Sequence, residues 1–321
     1  MSAANRVLVL GGLGFIGASV SRQLAAQGRQ VTALSRSLAL HAATIRSLTA
    51  AGVQVVEGNV SDSAAMAAAI ADHDLIVNLA GESGAVRSME APIDDLDGNC
   101  RANLVVLDAI RRHNPDAKLV FVGSRLQYGR PAAIPVNEEH PRNALCVHAV
   151  HKNTIEEYLR VYAQLFGLRY SVARVTNPYG PGQPAARVAY GVVNRMIHLA
   201  LANQAVPIYG DGLQQRDYVF VDDTAAALIQ LGDSDAADGR AFNVGSGTGT
   251  ALADMAGTII AAAGGGRIEH VAWPKLAEQI ETGDFVADVS RIHREIGWAP
   301  QTSLADGIER TVAFHRAHQV S

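Results

Sequence analysis

Arg6-Val7-Leu8-Val9-Leu10-Gly11-Gly12-Leu13-Gly14-Phe15-Ile16-Gly17 is the stretch on which the reading of the chain turns. A short apolar run meets glycines at 11, 14 and 17, and apolar residues at helical spacing follow at once over 16–26. Glycine at these positions lets the backbone turn tightly, approach a pyrophosphate and bring helix against strand. The N–H groups that open the helix, at Phe15, Ile16 and Gly17, then face negative charge. A glycine motif alone says little. Strand, loop and helix in that order, heading an alternating α/β pattern, make it a dinucleotide-binding turn.

Outward from this turn, strand-like runs at 30–34, 53–57, 75–79, 118–122 and 169–175 alternate with helical spacing at 63–71, 99–113 and 149–166. That alternation predicts βαβ units in a Rossmann-like, doubly wound parallel sheet. After Val175 the chain turns loop-rich, with Pro178, Gly180, Pro181, Gly182 and Pro184, as expected where it leaves the sheet. Short strand-like runs return at 218–221 and 241–244, helical spacing at 252–263 and 306–316, and 261–266 reads as a turn. The expected organisation is a dinucleotide-binding domain over 1–175 with a return at about 215–247. A smaller, interleaved C-terminal substrate-binding domain takes most of 176–321.

The 321 residues are 48% hydrophobic, enough to bury a large core. A net charge of −4 without a basic stripe argues against a nucleic-acid partner. Cys100 and Cys146 form no disulfide framework and match no zinc spacing, which points to a reducing compartment. The apolar run Val7 to Leu10 ends at glycine too soon for a signal-peptide core. No run approaches the roughly 18 apolar residues of a membrane span. A soluble, cytoplasmic protein is expected.

Cofactor choice is read at the end of the second strand, where NAD sites place an acid against the ribose hydroxyl. Here Ser35-Arg36-Ser37 follows, without an acid. A hydroxyl and a guanidinium suit a 2′-phosphate, so NADP is favoured and NAD remains possible. Arg36 as a solvated loop charge is the alternative.

Four further segments carry a family likeness: Val77-Asn78-Leu79-Ala80-Gly81, Val122-Gly123-Ser124-Arg125-Leu126-Gln127-Tyr128-Gly129, Asn177-Pro178-Tyr179-Gly180-Pro181-Gly182, and Gly210 through Asp223, which includes Arg216-Asp217-Tyr218. With the glycine turn they resemble, over essentially the whole length, an extended short-chain dehydrogenase/reductase of the nucleotide-sugar epimerase and dehydratase group, the UDP-galactose 4-epimerase type. The resemblance implies transient hydride transfer at a sugar carbon and a catalytic unit of Ser/Thr, Tyr and Lys. Ser124 and Lys152 stand at two of those positions; the tyrosine position of Tyr-x-x-x-Lys is His148, in His148-Ala149-Val150-His151-Lys152. An imidazole that titrates near 6.5 can serve as base at neutral pH without the help a phenol needs, and the charge on Lys152 would keep it neutral.

By the same resemblance Asn59 and Val60 would lie at adenine, Leu79 and Ala80 at the nicotinamide ribose, and Lys152 at that ribose's hydroxyls. Asn177 and Arg216 would contact a substrate diphosphate, while Ile208 and Tyr209 pack on the nucleotide base. Glu281 stands where many relatives carry arginine, which disfavours a second phosphate contact there. Arg125-Leu126 replaces the acidic pair of the dehydratases, so water elimination is disfavoured. An altered family member that binds nucleotide or sugar as a regulatory subunit is a further reading. A metal pair at His148 and His151 lacks a third ligand. The resemblance also implies a homodimer through 99–113 and 149–166.

Overall fold

A computed structural model of the chain describes residues 5–183 and 191–319. Pro184, part of the loop-rich run, lies outside the described residues. Seven strands form one sheet: β1 (Arg6–Leu10), β2 (Gln30–Ser35), β3 (Gln54–Glu57), β4 (Leu75–Asn78), β5 (Lys118–Ser124), β6 (Arg169–Val175) and, after three strands of a second lobe, β10 (Arg240–Val244). Their order is β10-β6-β5-β4-β1-β2-β3, and all neighbours run parallel. The order reverses between β1 and β4. In sheets of this kind ligands bind at such a switch point, outside the strands' C-terminal ends.

The unbroken apolar runs are explained by burial on both faces. Val7 and Val9 face one core with helices Phe15–Ala26 and Val221–Asp233, whereas Leu8 and Leu10 face another with helices Ser63–Ile70, Ala102–His113 and Val147–Phe166. Glycine at 12 serves the same closeness: an added Cβ would meet Ala33 Cβ of β2 at 2.6 Å.

The second lobe holds two small sheets. In one, β9 (Gln215–Phe220) lies between β7 (Asn177–Tyr179) and β11 (Gly249–Ala251); in the other, β8 (Ala205–Tyr209) pairs with β12 (Arg267–Val271). Helices Val192–Leu201, Leu252–Ala263 and Leu304–Gln319 pack around them. Of the two returning runs, only 241–244 enters the large sheet. The other belongs to β9, and Val221 already opens a helix. The stretch read as loop-rich also contains a helix, Val192–Leu201, and the helix expected from 99 begins with a π turn over Asp97–Arg101. Among the described residues no helix is long and apolar enough to cross a membrane.

Candidate active site

At the C-terminal end of β1, Gly11 adopts φ +78°, a conformation that L side chains rarely take, and an added Cβ would press on the backbone of Leu79 at 3.0 Å. A Cβ at Gly17 would overlap the carbonyl oxygen of Gly11 and reach Gly12 Cα at 2.9 Å. Helix Phe15–Ala26 begins at Gly14 with no side-chain cap, so its first N–H groups are left for an anionic ligand. The cradle therefore fits a pyrophosphate. Phe15 packs its side chain on the second lobe's core and Ile16 on that core and one of the large sheet's, which leaves only their backbone available to the cradle.

Around this cradle, Ser35 ends β2, and its carbonyl accepts from Gly58 N at 2.9 Å. Arg36 is exposed, and Nη1 pairs with Glu82 Oε1 at 3.1 Å, the other oxygen of Glu82 taking Arg87. The guanidinium reaches a ligand only by sharing or leaving Glu82. Asn59 is exposed and folds Oδ1 onto Ser61 N, leaving its amide N–H groups unspent. Val60, Leu79 and Ala80 are half-buried against the two cores.

Ser124 closes β5. Its Oγ accepts from Leu126 N at 3.2 Å and its N–H donates to Gln127 Oε1 at 2.8 Å, an arrangement that leaves the hydroxyl proton free to donate. Lys152 reaches the same strand end, giving a hydrogen bond to Val122 O at 3.0 Å with Nζ 4.8 Å from the Phe121 ring centroid. Burial pushes its ammonium down to about 8. His148 lies one helical turn earlier on the same face, near the start of Val147–Phe166, and its N–H donates to Ser88 Oγ at 3.0 Å. The residue is 4% exposed, and burial lowers its pKa; Asp95 works against that and Lys152 with it. Nδ1 stands 3.5 Å from Asp95 Oδ2, short of a formed hydrogen bond.

On the substrate side, Asn177 is already occupied: Oδ1 accepts from Arg125 Nε at 3.1 Å, and Nδ2 donates to Asp217 O at 2.8 Å. Arg125 is buried and its Nη1 donates to Thr282 Oγ1 at 2.8 Å; burial and the charge of Arg216 lower its pKa to about 10. Arg216 pairs with Glu281, and its Nη1 donates to the carbonyls of Gln215 and Gly283. Asp217 is not its partner, because that carboxylate accepts from the backbone of Ser246, Gly247 and Ala287. Ile208 corrects an expectation. Its neighbours in β8 point the other way, and its own side chain is wholly buried in the lobe's core, so it does not face a nucleotide base. Tyr209 remains half-buried with its ring 5.1 Å from that of Trp273.

The chain as a whole has known counterparts. The profile of the NAD dependent epimerase/dehydratase family matches residues 7–245. The chain belongs to that family. It is an enzyme type of extended short-chain dehydrogenase/reductase architecture, and its Rossmann-like sheet is shared with solved relatives. The UDP-glucose 4-epimerase of Mycolicibacterium smegmatis is 31% identical over 314 residues, covering 97% of this chain and 98% of its own length. Among solved structures, the UDP-glucose 4-epimerase of Thermus thermophilus in complex with NAD is 29% identical with a TM-score of 0.86, covering 97% and 99% of the two chains. The Thermotoga maritima UDP-glucose 4-epimerase with UDP-glucose is 26% identical, TM-score 0.90, covering 98% and 99%.

Within this epimerase/dehydratase scaffold, two features lay beyond sequence reasoning. Asp95 stands 53 positions before His148 and outside every motif. Glu281 and Arg216 were read singly, as a deterrent and a contact, whereas they neutralise each other. Neither had a local signal, since both depend on which distant segments meet.

Proposed function

We propose that the chain is an NAD(P)-dependent nucleotide-sugar epimerase or keto-sugar reductase, with NADP favoured through Ser35 and Arg36. The convergence of Ser124 and Lys152 at the end of β5, with His148 one turn away, carries this reading. When bound, the dinucleotide supplies a reversible hydride acceptor. Gly11, Gly14, Gly17 and the backbone of Phe15 and Ile16 would hold its pyrophosphate; Asn59, Val60, Leu79, Ala80 and Lys152 would line its two ends. Ser124 donates its hydroxyl hydrogen bond to the reacting sugar oxygen, and neutral His148 accepts the proton from that oxygen. Among the described residues, Tyr128 and Tyr218 are poorer bases: Tyr128 donates to Asn243 Oδ1 at 2.7 Å, and burial raises both to about 12.

Asn177, Arg216 and Tyr209 are the proposed nucleotide-side contacts. Arg125 in place of an acid disfavours dehydration. We further assign 1–175 and, of the expected return at 215–247, the part after β9 to the dinucleotide, and β9 with the remainder to the substrate. A cytoplasmic homodimer is proposed through helices Ala102–His113 and Val147–Phe166, whose Leu104, Val161, Leu165 and Phe166 are exposed. One observation favours a second reading, a binding or regulatory subunit: Asn177, Arg125, Arg216 and Glu281 are bound to one another or to nearby backbone.

A panel of nucleotide sugars with NADP or NAD decides between these. A change in nicotinamide absorbance indicates a reductase, and an isomerised product without one indicates an epimerase. Cofactor binding with no turnover across the panel supports the regulatory subunit. Much tighter NAD than NADP binding by calorimetry overturns the cofactor preference.

A further inference from the structure

Asp95 sits in the short helix Pro92–Leu96, 3% exposed, and two imidazoles turn toward it. His151 Nδ1 lies 2.6 Å from Oδ1, and Asn99 Nδ2 donates to that oxygen at 3.0 Å. The other oxygen, Oδ2, is the one facing His148 Nδ1. That nitrogen is buried and has no hydrogen-bond partner among the described residues. A carboxylate only accepts, so a nitrogen turned to it must carry the proton, and the ring's lone pair is left on Nε2. Nε2 of His148 makes no hydrogen bond among the described residues.

We propose that Asp95 is a positioning residue for His148: it fixes the Nδ1–H tautomer, presents Nε2 to the substrate hydroxyl, and steadies the imidazolium formed when that nitrogen takes the proton. The proposal rests on the reading of His148 as the acid/base. In the step itself the sugar O–H bond breaks, the proton moves to Nε2, and the Nδ1 proton stays on the ring; the reverse half returns the proton to oxygen. Catalytic hydrogen bonds are often long before substrate engages and tighten in the reactive complex, and the gap at His148 is of that kind.

The charges around the ring bear on its titration. His151 shares the carboxylate, Lys152 opposes an imidazolium from the same helix, and Asp95 alone favours one. Cys100, from the π turn, and Cys146, capping the helix, feel the same carboxylate, and burial raises both thiols, so they stay neutral near pH 7. On the flanking segments Arg87 pairs with Glu82 and Arg101 with Asp97, while Glu90 and Asp94 are exposed to solvent.

Nitrogen-15 NMR on the full-length protein tests the tautomer without any turnover. His148 is expected as Nδ1–H; an Nε2–H tautomer overturns the proposal. In kinetics, Asp95→Asn should lower kcat on the order of a hundredfold with KM within about threefold. The acid limb of kcat/KM should move to lower pH, because the group that raises the imidazole's pKa is gone. Asp95→Glu, which keeps the charge, should recover part of the loss. Wild-type kcat and an unmoved limb in Asp95→Asn would remove Asp95 from the mechanism. His148→Phe separates the two failures: full turnover there sinks the reading of His148 itself, whereas a dead His148→Phe beside an unimpaired Asp95→Asn sinks only the role of Asp95.

Discussion

At Lys152 a half-buried side chain places its ammonium on the carbonyl of Val122, its one hydrogen-bond acceptor among the described residues. Burial disfavours its charged form, so the cation exists below a pKa of about 8 and is lost above it. If catalysis needs that cation, turnover should fall as pH rises through about 8. Lys152→Met should erase this alkaline limb and lower kcat at pH 7 on the order of a hundredfold. A pH–rate profile of both proteins checks it. Single residues were legible here where a backbone constraint or a fixed spacing named them. Glycines 11, 14 and 17 are of that sort, whereas Ser124 and Lys152 were reached through the family resemblance. Asp95 and the Arg216–Glu281 pair were not, because an ion pair between residues 65 positions apart leaves no trace in either neighbourhood.

Among elements, the join between β1 and the helix Phe15–Ala26 depends on closeness that one methyl group would abolish. Gly17→Val places carbon into the Gly11 carbonyl, and the loop must move away from its ligand-ready shape. Dinucleotide affinity should drop by at least about thirtyfold, close to 2 kcal/mol, while far-UV circular dichroism stays near that of the wild type. Calorimetric titration with NADP measures the loss. The elements themselves were readable wherever strand and helix periods alternated. Residues 169–175 form β6 as expected, and Leu252–Ala263 is the helix its spacing indicates. Val192–Leu201 was hidden behind the proline and glycine run that precedes it, and Ala42–Ala50 offers one fully buried side chain, Leu48, too little for an apolar stripe. The π turn at Asp97–Arg101 shifts the helical register at a place where no residue type marks it.

For the molecule as a whole, acid is the expected weakness. His315 packs against His198, with ring centroids 4.2 Å apart, and burial with those like charges pushes its pKa down to about 4. Burial also lowers His73, His148 and His198. An unfolded histidine binds its proton near 6.5, so between about 6.5 and 4 the unfolded chain takes up protons that the native state refuses. Stability should therefore fall as pH drops through that window, by roughly 3 kcal/mol at most from His315. Thermal midpoints from pH 7 to 4.5 should decline, and decline less in His315→Gln. The doubly wound plan was legible from alternation alone. Which returning strand would rejoin the large sheet was not, because β9 and β10 look alike in sequence and differ in the neighbours they find.

That rejoining strand has a practical consequence for anyone recombining this protein with a relative. β10 reaches the rim of the large sheet only after the chain has built β7, β8 and β9 elsewhere, and it lies against β6 alone. A graft of the smaller lobe cut at a single junction would strip β6 of its outer neighbour and leave a raw hydrogen-bonding rim open to stray association. Working chimaeras should need at least two crossover points, one on either side of residues 240–244.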